Sequence, residues 1–242
     1  MKVAVILPAA GLGTRMAKSQ PDNSPHSRKQ FLQLEGVPIL LHTIRKFAQA
    51  QSVAEIFVAL RVDDIAWVQE LLDQEKLAKP VRLVLGGESR QQSVENALSY
   101  LDQDTALVAV HDAVRPFVDL EAVEKVIQEA AACGAAILGI VPVDTVKRVH
   151  LNRIETTIPR ERLVMAQTPQ VFTLAIIREA FAKAAGDGFV GTDEASLVER
   201  LDNVNIHVVP GSDRNIKITK PSDMDLARLY HSLEAQVSTV SH

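Results

Sequence analysis

The stretch KVAVILPAAGLGTRM, residues 2–16, decides the fold of this chain. Val3, Val5, Ile6 and Leu7 form a continuous aliphatic run, the signature of a strand buried on both faces, as a parallel sheet requires. Pro8 ends that strand and stiffens the entry to the loop. Ala9, Ala10, Gly11 and Gly13 carry almost no side chain, so backbone N–H groups there come close to an anion. Arg15 adds a permanent planar charge. These residues predict a phosphate-holding loop at the carboxyl end of a first strand. The spacing is not G-x-G-x-x-G, since Met16 stands in the last place, and no Gly-Lys-Ser/Thr comes after it to make a Walker loop. An ordinary strand-to-helix turn rich in small residues is the competing reading. A second cation, Lys29 in RKQF, weighs against it.

Outward from that strand, apolar runs alternate with helix-periodic segments. Strands are expected at 2–7, 55–60, 81–85, 105–110, 135–141 and 205–209. Helices are expected near 38–49, 64–77, 90–101, 119–132, 173–184, 192–202 and 221–236, with Asp119, Thr192 and Pro221-Ser222 at their starts. This alternation predicts an α/β fold: a Rossmann-like, mostly parallel sheet with helices on both faces, in one domain across 1–242. The polar segment 17–30, with two prolines, reads as a loop between the phosphate turn and the first helix. Residues 143–165 break the alternation and read as a protruding β-hairpin turning near Leu151-Asn152. Such an exposed edge asks for cover, from a partner subunit or from its own domain.

A net charge of −4 over 242 residues argues against a general nucleic-acid binder. One cysteine, Cys133, forms no internal disulfide, fits a reducing compartment, and reads as a small packed side chain near a helix end. The N-terminus lacks the order of a secretory signal and no run reaches the length of a membrane span, so a cytoplasmic protein with no membrane partner is expected.

PAAGLGTRM and KQF, with GGESRQQSV (86–94), VHDAVRPFV (110–118), PVDTVKRV (142–149), TPQVF (168–172), TDEASLVE (192–199) and NIKIT (215–219) after them, resemble the 2-C-methyl-D-erythritol 4-phosphate cytidylyltransferases over essentially the whole chain. The resemblance implies transfer of a cytidylyl group from CTP to that polyol phosphate, in isoprenoid precursor synthesis, by a homodimer whose 143–165 arms embrace. It also implies transition-state stabilisation by Arg15 and Lys29, and positioning of the acceptor by Arg160 and Lys217. Arg162 is a rival to Arg160 within IPRERL. Ribitol 5-phosphate as acceptor, and a non-catalytic nucleotide-binding module, are the alternatives.

Two anions must meet in such a reaction, so neutralised charge and alignment are its main needs. Asp112 comes after the strand ALVAV at the end where α/β sheets bind ligands. A carboxylate facing a triphosphate suggests a Mg²⁺ ligand; a helix-capping or Arg115-paired aspartate is the other reading. Arg115 itself either touches the substrate phosphate or pairs with Asp112. His111 reads as a packed or hydrogen-bonded histidine. Gly86, Gly87, Ser93 and Ala113 are expected beside the nucleotide with Pro8, Ala9, Ala10, Gly11 and Gly13, and Thr145 and Thr168 beside the acceptor. Asp193 and Glu194 read as acids favourable to a helix N-terminus.

Overall fold

The structure is a computed structural model describing residues 1–11 and 28–240, with side chains described through residue 236. Gly13, Arg15 and most of the 17–30 loop lie outside the described residues. The elements run β1 (Lys2–Pro8), β2 (Gln33–Leu34), β3 (Val37–Pro38), α1 (Ile39–Gln49), β4 (Val53–Leu60), α2 (Val62–Asp73), β5 (Val81–Leu85), α3 (Arg90–Leu98) and β6 (Thr105–Val110). Then come α4 (Leu120–Cys133), β7 (Ala135–Ile140), β8 (Val146–His150), β9 (Arg153–Ile158), β10 (Met165–Thr173), α5 (Leu174–Asp187), α6 (Glu194–Val198), β11 (His207–Pro210) and α7 (Pro221–Val240).

Seven strands form the central sheet in the order β11-β7-β10-β6-β1-β4-β5. β1 pairs in parallel with β4 and β6, β4 with β5, and β11 with β7. Val3 to Leu7 are wholly buried because helices cover both faces. Val3, Val5 and Leu7 pack with Ile44 and Phe47 of α1, Val68 of α2 and Val126 of α4. Ala4 and Ile6 face Val94 of α3, Ile177 and Phe181 of α5, and Leu197 of α6. Burial of a strand on both faces is what the unbroken aliphatic run encodes.

β10 runs antiparallel to both β6 and β7 in the middle of the sheet. No strand is expected there from the sequence, because Gln167, Pro169 and Gln170 interrupt the apolar pattern. Gln170 is nevertheless buried: its amide donates to Asp193 Oδ2 at 2.7 Å and accepts from the Ala195 N–H at 2.9 Å. The helix expected over 192–202 is reduced to Glu194–Val198. Its N-cap is Asp193 rather than Thr192, in a reciprocal capping box with Ser196. Asp119 caps α4 as expected, accepting from the Glu121 N–H at 2.7 Å.

β8 and β9 form a separate two-stranded sheet turning at Leu151 and Asn152, both at positive φ (45° and 63°). Val149, Leu151 and Ile154 on this arm are 53%, 83% and 66% exposed, so the hairpin does not lie on its own domain. No helix among the described residues is long and apolar enough to cross a membrane.

Candidate active site

After β1, the chain lays β4 and β5 on one side of it and returns with β6 on the other, so the strand order reverses between β1 and β6. In open α/β sheets, ligands bind outside the carboxyl ends of the strands at such a point. A cleft opens there, lined by Pro8 to Gly11, Lys29, Gln30, Gly87 to Arg90, Ser93, Asp112 to Val114 and Lys217.

Each wall is fixed by local chemistry. The Gln30 amide donates to the Ala9 and Gly11 carbonyls at 2.8 and 3.1 Å, holding the carbonyl side of the small-residue loop. The Gly86 N–H donates to the Leu60 carbonyl at 2.7 Å. A Cβ on Gly86 would stand 2.4 Å from that of Ala10, so only glycine lets the end of β5 press against the loop. Ser93 accepts from the Gly87 N–H at 3.0 Å and donates to the Ser89 carbonyl at 2.8 Å, tying the next turn to α3. Lys29 opens a 3₁₀ turn, Lys29–Phe31. Arg28 anchors that turn: it pairs with Asp64 at the start of α2 and lies 5.2 Å from the Phe31 ring centroid. Burial pushes the Asp64 carboxyl upward, and Arg28 opposes that shift.

Asp112 sits nearly buried at the cleft floor with three cations around it. Lys217 Nζ lies 2.9 Å from its Oδ2, Arg115 Nε 3.2 Å from the same oxygen, and Arg90 Nε 3.3 Å from Oδ1. Burial alone would raise its pKa; Arg90, Lys217 and Arg115 outweigh that and hold the carboxyl far below its ordinary range. Arg90 also donates to Glu194 Oε1 at 2.7 Å. Burial raises the Glu194 carboxyl, with Arg90 opposing. Glu194 opens α6 as an acid in its first turn, as expected, and at 1% exposed it is also the buried counter-ion of Arg90.

Arg115 donates to the Asn215 carbonyl at 2.5 Å as well as to Asp112, so it pairs with the aspartate and ties down the segment carrying Lys217. Thr168 is 4% exposed. Its hydroxyl accepts from the Asp112 N–H at 3.1 Å and bonds His111 Nδ1 at 3.1 Å, so it positions Asp112 instead of facing the cleft. His111 is buried and bonded to the Arg115 carbonyl at 3.0 Å, as a packed histidine should be, and burial pushes its pKa down to about 4. Ala113 lines the cleft while its carbonyl accepts from Thr43 at 3.0 Å. Thr145, Arg160 and Arg162 are exposed at the root of the arm and line no part of this cleft; Arg160 donates to the Val143 carbonyl.

Sequence reasoning passed over Gln30 and Arg90, and did not foresee the pairing of Glu194 with Arg90. Arg90 carried a signal: it is the first residue of α3, where a cation opposes the helix dipole and calls for a nearby carboxylate.

A small-residue loop and clustered cations at the switch point of a doubly wound sheet define a nucleotide-handling α/β protein of the nucleotidyltransferase kind. The family model for IspD, 2-C-methyl-D-erythritol 4-phosphate cytidylyltransferase, matches residues 3–232. The chain is 60% identical to the protein of that name from Solibacter usitatus over 100% of both chains. It is 50% identical to the one from Acidobacterium capsulatum, over 95% of this chain and 97% of that one. Among solved structures, 4-diphosphocytidyl-2C-methyl-D-erythritol synthase from Anaerococcus prevotii superposes with a TM-score of 0.83 at 28% identity, covering 95% of this chain and 96% of that one. The chain belongs to the 2-C-methyl-D-erythritol 4-phosphate cytidylyltransferase family.

Proposed function

We propose that the cleft between β1 and β6 carries out the family's reaction. A phosphate oxygen of 2-C-methyl-D-erythritol 4-phosphate attacks the α-phosphorus of CTP, pyrophosphate leaves, and 4-diphosphocytidyl-2-C-methyl-D-erythritol forms, a step of isoprenoid precursor synthesis. The observation that carries the reading is Lys29, Arg90 and Lys217 lining one cleft with the small-residue loop Ala9 to Gly11. The triphosphate lies along that loop. Lys29, joined by Arg15, stabilises charge building on the α-phosphate and the leaving pyrophosphate. Gly87, Ser93 and Ala113 wall the nucleoside end, with Gly86 packed behind them against Ala10. Lys217, held in register by Asp112, takes the acceptor phosphate for in-line attack.

Asp112 bears on the divalent cation as well. A carboxylate offers about four lone-pair directions, and three are taken here by Arg90, Arg115 and Lys217. One direction remains, which suits a Mg²⁺ ion bound through one carboxylate with phosphate oxygens and water completing its shell. When bound, Mg²⁺ supplies charge neutralisation on the triphosphate.

The arm supports a homodimer. β8 and β9 expose apolar side chains and put Thr145 and Arg160 away from the cleft of their own chain, so they serve the cleft of a second copy. On this reading the chain is one nucleotidyltransferase domain across 1–242 with a dimerisation arm at 143–165, working in the cytoplasm. Pyrophosphate release with CTP, UTP, ATP and GTP, each with methylerythritol phosphate and with ribitol 5-phosphate, tests it. Turnover should require CTP with methylerythritol phosphate; release with ribitol 5-phosphate alone would reassign the acceptor.

A further inference from the structure

At the opposite end of the sheet from the cleft, three metal-binding side chains of different chemistry converge. Glu129 and Cys133 stand one turn apart at the C-terminal end of α4, and His207 opens β11. Their ligand atoms all lie within 4.8 Å of one another, and His207 Nδ1 is 2.6 Å from Glu129 Oε1. All three are open to solvent in part, so an ion can reach them.

The scaffold holds them rigidly. Gly134, at a φ of +91°, ends α4 and donates to the Ala130 carbonyl at 2.8 Å, turning the chain straight into β7. β11 pairs with β7 so that His207 stands opposite Ala136. Helix end, tight turn and edge strand therefore move as one unit, and ligands on regular elements keep their geometry better than ligands on loops. The Cys133 thiol rests against the Glu129 and Ala135 carbonyls at 3.0 and 3.2 Å, beside the other two donors.

We infer that Glu129, Cys133 and His207 form a binding site for a borderline-soft divalent ion of the Zn²⁺ class, clamping the C-terminal end of α4 to the edge strand β11. A tetrahedral zinc with Zn–S about 2.3 Å and Zn–N or Zn–O about 2.0–2.2 Å sets its donor atoms about 3.3–3.7 Å apart; the three donors here lie within 4.8 Å of one another, and His207 Nδ1 and Glu129 Oε1, 2.6 Å apart as a hydrogen-bonded pair, open slightly to admit the ion. One thiolate, one imidazole and one carboxylate complete three corners, and water takes the fourth. The thiolate selects against Mg²⁺ and Ca²⁺, which prefer oxygen. Binding releases the thiol proton to solvent, while His207 ligates as the neutral imidazole through Nδ1 and carries its proton on Nε2.

The test uses the full chain, free of affinity tags and reduced, titrated with ZnCl₂ by calorimetry and with CoCl₂ by absorption, alongside Cys133→Ser and His207→Ala. The wild type should bind one equivalent per chain and show a thiolate-to-cobalt charge-transfer band. Cys133→Ser should lose that band, and both variants should bind Zn²⁺ at least tenfold more weakly. Zn²⁺ at a hundred times its Kd should raise the wild-type Tm by about 5 °C or more and leave Cys133→Ser unmoved. Far-UV circular dichroism confirms that the variants fold. Zn²⁺ isotherms that Cys133→Ser leaves unchanged, or a cobalt spectrum without the thiolate band in the wild type, would overturn the site. None of these readouts depends on what the cleft catalyses.

Discussion

The cleft beneath Ala10 and the arm of β8 and β9 both carry several charged side chains, yet they handle charge in opposite ways. In the cleft, Asp112 is nearly buried and meets Arg90, Arg115 and Lys217, while Glu194 backs Arg90 from behind. On the arm, Arg148 pairs with Glu155 at 3.0 Å, but both are open to water, where such a pair adds little stability. In the cleft the chain's own carboxylates hold the cations: Arg90 lies between Asp112 and Glu194, and Arg115 and Lys217 share one oxygen of Asp112. The arm instead exposes Val149, Leu151 and Ile154, and its Arg160 lines no part of that cleft.

The sharpest way to break this contrast is to remove a cation from the cleft. If Lys29 and Arg15 act mainly on charge developing in the transition state, Lys29→Ala and Arg15→Ala should each lower kcat by about a hundredfold or more with the fold intact. Steady-state kinetics with circular dichroism checks this, and near-normal turnover at saturating substrates would remove the residue from that role.

The arm is tested by mixing inactive chains. If Arg160 serves the partner's cleft, a Lys29→Ala chain exchanged with an Arg160→Ala chain regains one intact site in each mixed dimer, about a quarter of wild-type activity in an equal mixture. No recovery, with subunit exchange verified by mass, would place Arg160 in its own chain's site. Deleting 146–163 with a short bridge should yield a folded monomer by sedimentation that has lost most activity.

Lys217 sharpens the division within the cleft. Lys217→Ala should reduce kcat/KM for the acceptor by about two orders of magnitude while CTP affinity with Mg²⁺ changes little, because Arg90 and Arg115 remain on Asp112. Arg162→Ala should be mild by comparison. Calorimetry with CTP beside acceptor kinetics separates the two, and loss of CTP binding in Lys217→Ala would move that lysine to the nucleotide.

The smallest effect is on stability and concerns the floor of the cleft. His111 is held neutral, its pKa pushed by burial to about 4, whereas an unfolded histidine titrates near about 6.5. Between those values the unfolded chain binds a proton that the folded chain refuses. Stability therefore falls as pH drops from 7 through that window and levels off below it, by about 3 kcal/mol from this group. Asp112, held far below its ordinary range, adds a loss of the same sign as pH falls through the unfolded carboxyl's value. Urea unfolding at pH 7 and pH 4.5 should show a smaller drop for His111→Asn than for the wild type; equal drops would mean His111 titrates alike in both states.

What the sequence determined by itself was whatever near neighbours along the chain can decide. Val3 to Leu7 state their burial on both faces through side-chain type alone, Leu151-Asn152 marks its turn, and Asp119 its cap. The small-residue loop and Asp112 were identifiable from their place after apolar strands, Lys29 from its closeness to that loop, and Lys217 only from the resemblance of NIKIT. The tertiary structure decided who meets whom. Arg90 and Glu194 lie 104 residues apart, and Thr168 reaches the Asp112 N–H across 56; no periodicity encodes those encounters. β10 was hidden for the same reason. Gln167 and Gln170 look like surface residues until Asn215, Asp193 and Ala195 come from elsewhere in the chain to satisfy their amides. A buried polar group is stable only with its partner, and that partner is supplied by the fold rather than by the local sequence.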